Sequence, residues 1–158
     1  MEFVKRLEEI EAIKLLKYRY MRCIDQKGWK EMETLFTPNA TCSYSGGKYK
    51  FDGRDAIMKF LTESMARPTF LSSHRVHHPE IELTSATTAT ATWALEDWVI
   101  DEQHGITIHG AAFYKDRYVK VGGEWKIEHT GYERTFDEMA PRKEQGWRIT
   151  QHGFSKPA

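Results

Sequence analysis

The sequence predicts an α+β fold: a strongly curved antiparallel or mixed sheet, closed on its open side by three helices from the first half of the chain. Together they form a cone with an internal pocket. Three observations carry this expectation. Apolar residues recur at three- and four-residue steps as far as Met65, and from Phe70 onward they alternate with polar ones at period two. The later β-branched and aromatic runs are also more than twice the ~5–6 residues of an average strand, so the sheet must coil to stay compact.

The elements follow in order. Residues 3–25 read as a first helix, with Leu7, Ile10, Ile13, Leu16, Tyr20 and Ile24 as its apolar stripe and Lys5, Glu8, Glu9 and Lys17 facing elsewhere. Gly28 is the expected left-handed cap. Residues 29–36 form a second, shorter helix stopped by Thr37-Pro38. Ala40–Tyr44 and Lys48–Phe51 suit a strand pair joined at Gly46-Gly47, and Arg54–Met65 forms a third helix with Ile57, Met58, Phe60 and Leu61 on one face. Four long strands in meander order then run from Phe70 to Phe136, with Pro79, Gly110 and Gly131 as the expected bends or bulges.

The chain has 158 residues, enough for one core; a single domain over residues 1–140 and a tail over residues 141–158 are expected. Its 23 basic residues balance 23 acidic ones, so no net field draws nucleic acid or an anionic membrane. No apolar run approaches the ~20 residues needed to span a bilayer. The amino terminus lacks a signal-peptide core, so a cytoplasmic location with Cys23 and Cys42 reduced is expected. Aromatic residues make up 13% of the chain, a generous share that suits either a core or the wall of a small-molecule pocket.

One strand concentrates the titratable chemistry. Leu71–Leu83 carries three of the seven histidines, His74, His77 and His78. Strand parity puts His74, Val76 and His78 on one side and Arg75 and His77 on the other. That argues against a metal site, which needs converging ligands, and no other metal spacing stands out. His77 and His78 therefore read as structural. A lone histidine is more often a satisfied core or surface residue than a catalyst, so a partner is needed. Asp97 shares an apolar face with Trp93, Leu95 and Val99, and a carboxylate there is costly unless paired. Asp25, at the end of the first helix, is the second candidate. Tyr20 lies on that helix's stripe, where it packs in the core or offers its hydroxyl to a carbonyl. An ideal helix sets positions 20 and 25 about 140° apart, so the two share a cavity only if the helix ends or bends near Asp25. Phosphate loops, dinucleotide fingerprints and nucleophile elbows are absent from the sequence.

Ile10–Tyr20, Asp25-x-x-x-Trp29, Leu35–Ala40, the His74 strand and Gly122-Gly-Glu-Trp125, in this order and spacing, resemble the SnoaL-like branch of the cystatin-like, nuclear-transport-factor-2-like (NTF2-like) superfamily over residues 7–138. Tyr20–Asp25, Ser43-Tyr-Ser45, His78–Ile81, Leu95-Glu-Asp97, Ala112-Phe-Tyr114 and Thr130–Arg134 are similar to the bile-acid 7α-dehydratase family. More distantly the chain resembles the scytalone dehydratases. These likenesses imply a lyase without metal or other cofactor, dehydrating a hydroxylated 3-oxo-Δ4 steroid, and a homotrimer. They imply catalytic roles for Tyr20, Asp25, His74 and Asp97, and a pocket arginine at Arg134. Tyr44 and Tyr114 are expected in the substrate-binding wall. Other activities of the same kind (polyketide dehydration or cyclisation, isomerisation, dehydrochlorination) and a non-catalytic carrier share these features. Ala111 in Gly110-Ala-Ala112 and Trp98 depart from the family pattern and are expected to reshape the cavity.

Overall fold

The structure, a computed structural model, describes residues 2–154. The helix α1 (Phe3–Gln26) is followed by α2 (Trp29–Thr34), β1 (Phe36–Tyr44), β2 (Tyr49–Asp52) and α3 (Arg54–Met65). Then come β3 (Phe70–Leu83), β4 (Thr88–Asp101), β5 (Ile106–Val121), β6 (Glu124–Pro141) and the short α4 (Arg142–Gln145). The six strands form one mixed sheet in the order β2-β1-β6-β5-β4-β3. Every neighbouring pair is antiparallel except β1 with β6. The concave face carries Trp93, Leu95, Ala112, Tyr114, Tyr118 and Ile127, all buried, and α1 lies across it with Ile13, Leu16, Tyr20 and Ile24 turned inward. This is the α+β cone that the two periodicities predict.

Local details depart from expectation for identifiable reasons. The left-handed residue that ends α1 is Lys27, with φ 57°, while Gly28 keeps φ −80°. Its side chain compensates, because the Lys27 ammonium donates to the carbonyls of Met65 and Phe70 at 2.7 and 2.8 Å. The second helix ends at Thr34, and β1 runs through Pro38. Proline is tolerated there because the pairing of β1 with β6 is interrupted between Phe36 and Thr41. Lys17 and Glu9, read as outward-facing, are buried, whereas Leu7 and Leu15 are exposed. Glu9 is claimed by Lys120 at 2.5 Å and by the Trp125 indole at 2.7 Å.

Pro79 does mark a bulge. The register of β3 on β4 slips between His77 and Glu80, and His78 takes φ 48°. Val76 pairs with Leu95 before the slip and Ile81 with Ala91 after it. The extra residue therefore flips parity, so that even positions face inward before it and odd ones after it, and His77 and His78 are both left exposed. Gly110 and Gly131 are not bulges; the slips between β5 and β6 fall at Ala111/Ala112 and Arg117/Tyr118. These glycines serve close approach instead. A Cβ on Gly131 would lie 2.5 Å from the Ser43 carbonyl oxygen, and one on Gly110 would lie 2.6 Å from an Arg134 nitrogen. No helix among the described residues is long and apolar enough to cross a membrane.

Candidate active site

A cavity of about 360 Å³ lies between the concave face of the sheet, α1 and α3. Its wall includes Tyr20, Tyr44, Tyr114 and Tyr132, with His74 at one side and Ile24, Phe60, Met65, Phe70 and Ile108 supplying apolar surface. Larger depressions of about 580 and 490 Å³ are lined mostly by charged and polar residues, the second adjoining the cavity at His74, and one of about 640 Å³ lies along α1 at Ala12, Leu15, Tyr18, Arg19 and Arg22. The tyrosine-lined cavity alone among these combines apolar wall with converging hydroxyls, the composition expected of a small-molecule site.

His74 reaches it from β3, on the inward parity shared with Val76. Its Nδ1 lies 2.7 Å from Asp25 Oδ1, and its backbone N–H donates to Asp25 Oδ2 at 2.8 Å. The Ser72 hydroxyl donates to Asp25 Oδ1 at 2.9 Å. Asp25 is thus held by three donors from one strand, and its carboxylate fixes the ring. A carboxylate accepts, so Nδ1 carries a hydrogen and the lone pair of the neutral imidazole falls on Nε2. Nε2 makes no hydrogen bond among the described residues, leaving it for a molecule in the cavity. Asp25 itself lies outside the cavity wall, in a separate groove between α1 and β3. No bend in α1 is needed, because Tyr20 and Asp25 do not share a cavity; His74 links them.

Asp97 is the direct register partner of His74 on β4, yet it is taken by another group. Arg134 binds it through both terminal guanidinium nitrogens, Nη2 to Oδ2 at 2.9 Å and Nη1 to Oδ1. The path is open only because Gly110, between them on β5, has no side chain. Burial disfavours the Arg134 charge, but the Asp97 carboxylate outweighs it and holds the guanidinium above its ordinary range. Arg134 also lies over the Tyr132 ring at 5.0 Å. Neither Asp97 nor Arg134 lines the cavity. Of the two candidate carboxylates, the one at the end of the first helix holds the histidine.

In the same cavity wall the Tyr20 and Tyr44 hydroxyls lie 2.9 Å apart. Both rings are buried, and desolvation pushes both phenols well above 10. Each therefore keeps its proton through the physiological range; the Tyr44 hydroxyl also meets the Cys42 thiol, and with Tyr44 as donor within the pair the Tyr20 hydrogen is left to donate into the cavity. The Tyr114 ring stands edge-on to Tyr20 at 6.4 Å and to Tyr132 at 5.3 Å.

The model of the SnoaL-like domain matches residues 5–131. The chain belongs to the SnoaL-like family. Among solved structures, it is similar to a candidate scytalone dehydratase of Novosphingobium aromaticivorans (25% identity, TM-score 0.79, 87% of this chain and 91% of that one). A type 3 hexachlorocyclohexane dehydrochlorinase of Novosphingobium barchaimii shares 16% identity over 96% of this chain and 100% of that one, with TM-score 0.80. ActVI-ORFA of Streptomyces coelicolor shares 14% identity over 81% of this chain and 98% of that one, with TM-score 0.69. The last two show the shared fold alone.

Two features of this SnoaL-like cavity escaped the sequence reading. Beneath Tyr20 and Tyr114 lies a buried ion pair, Lys17 with Asp116 at 2.7 Å. The signal was present: Lys17 is four residues after Ile13 and three before Tyr20, on the apolar stripe, and Asp116 alternates with Ala112, Tyr114 and Tyr118. Trp98 has no part in the cavity. It points to the outer face of the sheet, 40% exposed, and stacks on His109 at 4.1 Å. Ala111 likewise takes outward parity on β5, while Ala112 is buried.

Proposed function

We propose that this SnoaL-like protein is a cofactor-independent lyase that removes water from a hydroxylated, ketone-bearing polycyclic substrate, with 7α-hydroxy-3-oxo-Δ4 bile acids as the first compounds to test. The observation that carries the reading is His74, with Nδ1 fixed by Asp25 and Nε2 without a partner among the described residues, in the wall of a cavity that also holds the Tyr20–Tyr44 hydroxyl pair.

The steps follow from that geometry. With the ketone oxygen at the tyrosine pair, Nε2 takes the C6 proton and the electron pair moves through the conjugated system onto oxygen. The hydroxyl hydrogen not used within the pair meets the growing negative charge of the dienolate, a preorganised stabilisation that strengthens in the transition state. Electrons then return, the C7–O bond breaks, and the departing hydroxide takes the proton from His74 as water. Acid–base catalysis of this kind contributes roughly 10²–10⁴-fold. Asp25 favours the protonated ring during the interval and keeps it aimed. Arg134, engaged with Asp97, supports the wall behind Tyr132 and does not serve as a free anchor. The cavity lies at the low end of the ~300–1,000 Å³ usual for ligand sites, so the ring system enters and any long side chain stays at the mouth. A phenol donor in the wall favours a substrate that develops an oxyanion, and hence dehydration over loss of chloride from a hydrocarbon without a carbonyl.

Self-association belongs to the same proposal. The outer face of β4, β5 and β6 exposes Trp98, Phe113 and Phe136, which supports assembly into a trimer, measurable by sedimentation equilibrium. Activity is tested by mass-spectrometric detection of water loss across 7-hydroxy-3-oxo-Δ4 steroids and aromatic polyketide alcohols. A His74→Ala variant that dehydrates at the unsubstituted rate would overturn the mechanism, and so would activity abolished by metal chelation.

A further inference from the structure

The buried Lys17–Asp116 pair is the part of the molecule that the proposed chemistry leaves unexplained. Both side chains are wholly buried, and replacing such a pair by apolar residues is often neutral or stabilising, so stability alone does not account for it. Its geometry is directional. Asp116 Oδ1 accepts from the Thr130 hydroxyl at 2.8 Å, and Oδ2 accepts from Tyr118 at 2.7 Å and faces the Lys17 ammonium at 2.7 Å. Tyr118 is itself fixed by the Trp93 indole N–H at 3.1 Å. The carboxylate is thereby saturated from below.

The ammonium is not saturated. Apart from Asp116, its surroundings are ring faces, with the Tyr114 centroid at 3.4 Å and the Tyr20 centroid at 4.8 Å. A cation over an aromatic face draws density from the ring and makes the phenol a stronger hydrogen-bond donor. Tyr20 belongs to the hydroxyl pair, and Tyr114 lines the same cavity with no hydrogen-bond partner for its hydroxyl among the described residues.

We infer that Lys17 is a positioning residue for the oxyanion site: an ammonium held under the rings of Tyr20 and Tyr114 by Asp116, strengthening both hydroxyls toward negative charge on a bound ligand. This rests on the proposed lyase reading for its catalytic consequence, but not for its electrostatic one. Lys17 never touches substrate; it acts through the tyrosines. Desolvation lowers the Lys17 pKa and Asp116 offsets this. Beyond the effect of burial, the Asp116 carboxylate by itself raises the Tyr20 and Tyr114 phenols, so the strengthening rests on the closer ammonium, 3.4 Å from the Tyr114 centroid.

The test uses two variants and two readouts. Lys17→Met leaves Asp116 buried without a cation and is expected to fold poorly. Lys17→Met/Asp116→Asn removes both charges and keeps the volume and one of the two acceptor oxygens, so it is the informative protein. The first readout is the ionisation of 4-nitrophenol added to the full-length protein, followed by absorbance. The unsubstituted protein is expected to hold the probe as phenolate, and the double variant to weaken that ionisation about ten-fold. The second readout is steady-state dehydration, where kcat is expected to fall about ten-fold with little change in KM. Probe ionisation unchanged in the double variant overturns the inference, as does failure of the unsubstituted protein to hold phenolate. Lys17-dependent ionisation without turnover of any hydroxyketone would uphold the inference and sink the lyase reading instead.

Discussion

Gly110→Ala provides a demanding test of how the Arg134–Asp97 pair is built. An added Cβ would stand 2.6 Å from Arg134 Nη1, 3.0 Å from the Phe136 carbonyl oxygen and 3.2 Å from the Asp137 Cβ. The backbone contact cannot be relieved by a rotamer change, and overpacking of this kind costs ~1–3 kcal/mol. The guanidinium can move, but only by leaving Asp97, which is nearly inaccessible to water. Losing the partner of a buried carboxylate costs ~3–5 kcal/mol, and losing one of two bonds about half of that. Reduced unfolded-chain entropy returns ~0.4–1 kcal/mol. The net expectation is a loss of about 1.5–5 kcal/mol, read as a lower urea midpoint at unchanged slope. A variant within about 0.5 kcal/mol of the unsubstituted protein would refute the reasoning. So would one whose loss persists in full after Arg134→Met, because the clash with the guanidinium would then be gone.

Other outcomes follow from the same geometry. Tyr20→Phe, which removes one hydroxyl of the pair and little volume, should lower kcat about 10²–10³-fold at similar KM, measured by steady-state kinetics. Cys23 and Cys42 are pushed up to about 11, chiefly by burial, so a disulfide reagent at about pH 8 should leave both untouched until denaturant is added. The Glu9 carboxyl is held below its ordinary value by the hydrogen bonds from Lys120 and Trp125. A depressed carboxyl contributes stability above its unfolded value that is lost as pH falls through the folded one. Urea midpoints should therefore fall more steeply on acidification in the unsubstituted protein than in Glu9→Gln.

The architecture was legible because it depends on periodicity. Ile13, Leu16 and Tyr20 at helical steps, and Trp93, Leu95 and Asp97 at alternate positions, define faces without three-dimensional information. Pro79 announced its bulge because proline lacks the ladder donor. What stayed hidden depends on partners distant in sequence. Lys17 sits on the apolar stripe, but its chemical type outweighed its position, and its partner Asp116 is about a hundred residues away. The choice between Asp25 and Asp97 had the same character. Register puts Asp97 beside His74, and only the reach of Arg134 across Gly110 removes it from contention. Trp98 read as a cavity residue because it follows Asp97; parity alone would have turned it outward.

The central claim is that Asp25, held by Ser72 and the His74 backbone, aims a histidine base into a tyrosine-lined cavity. Its most direct measurement is kcat for water loss in Asp25→Asn, with folding verified by near-UV circular dichroism. The amide keeps the shape of the carboxylate but cannot stabilise the protonated ring, so a loss of at least ~10²-fold is predicted. A folded Asp25→Asn protein that dehydrates at the unsubstituted rate would contradict it.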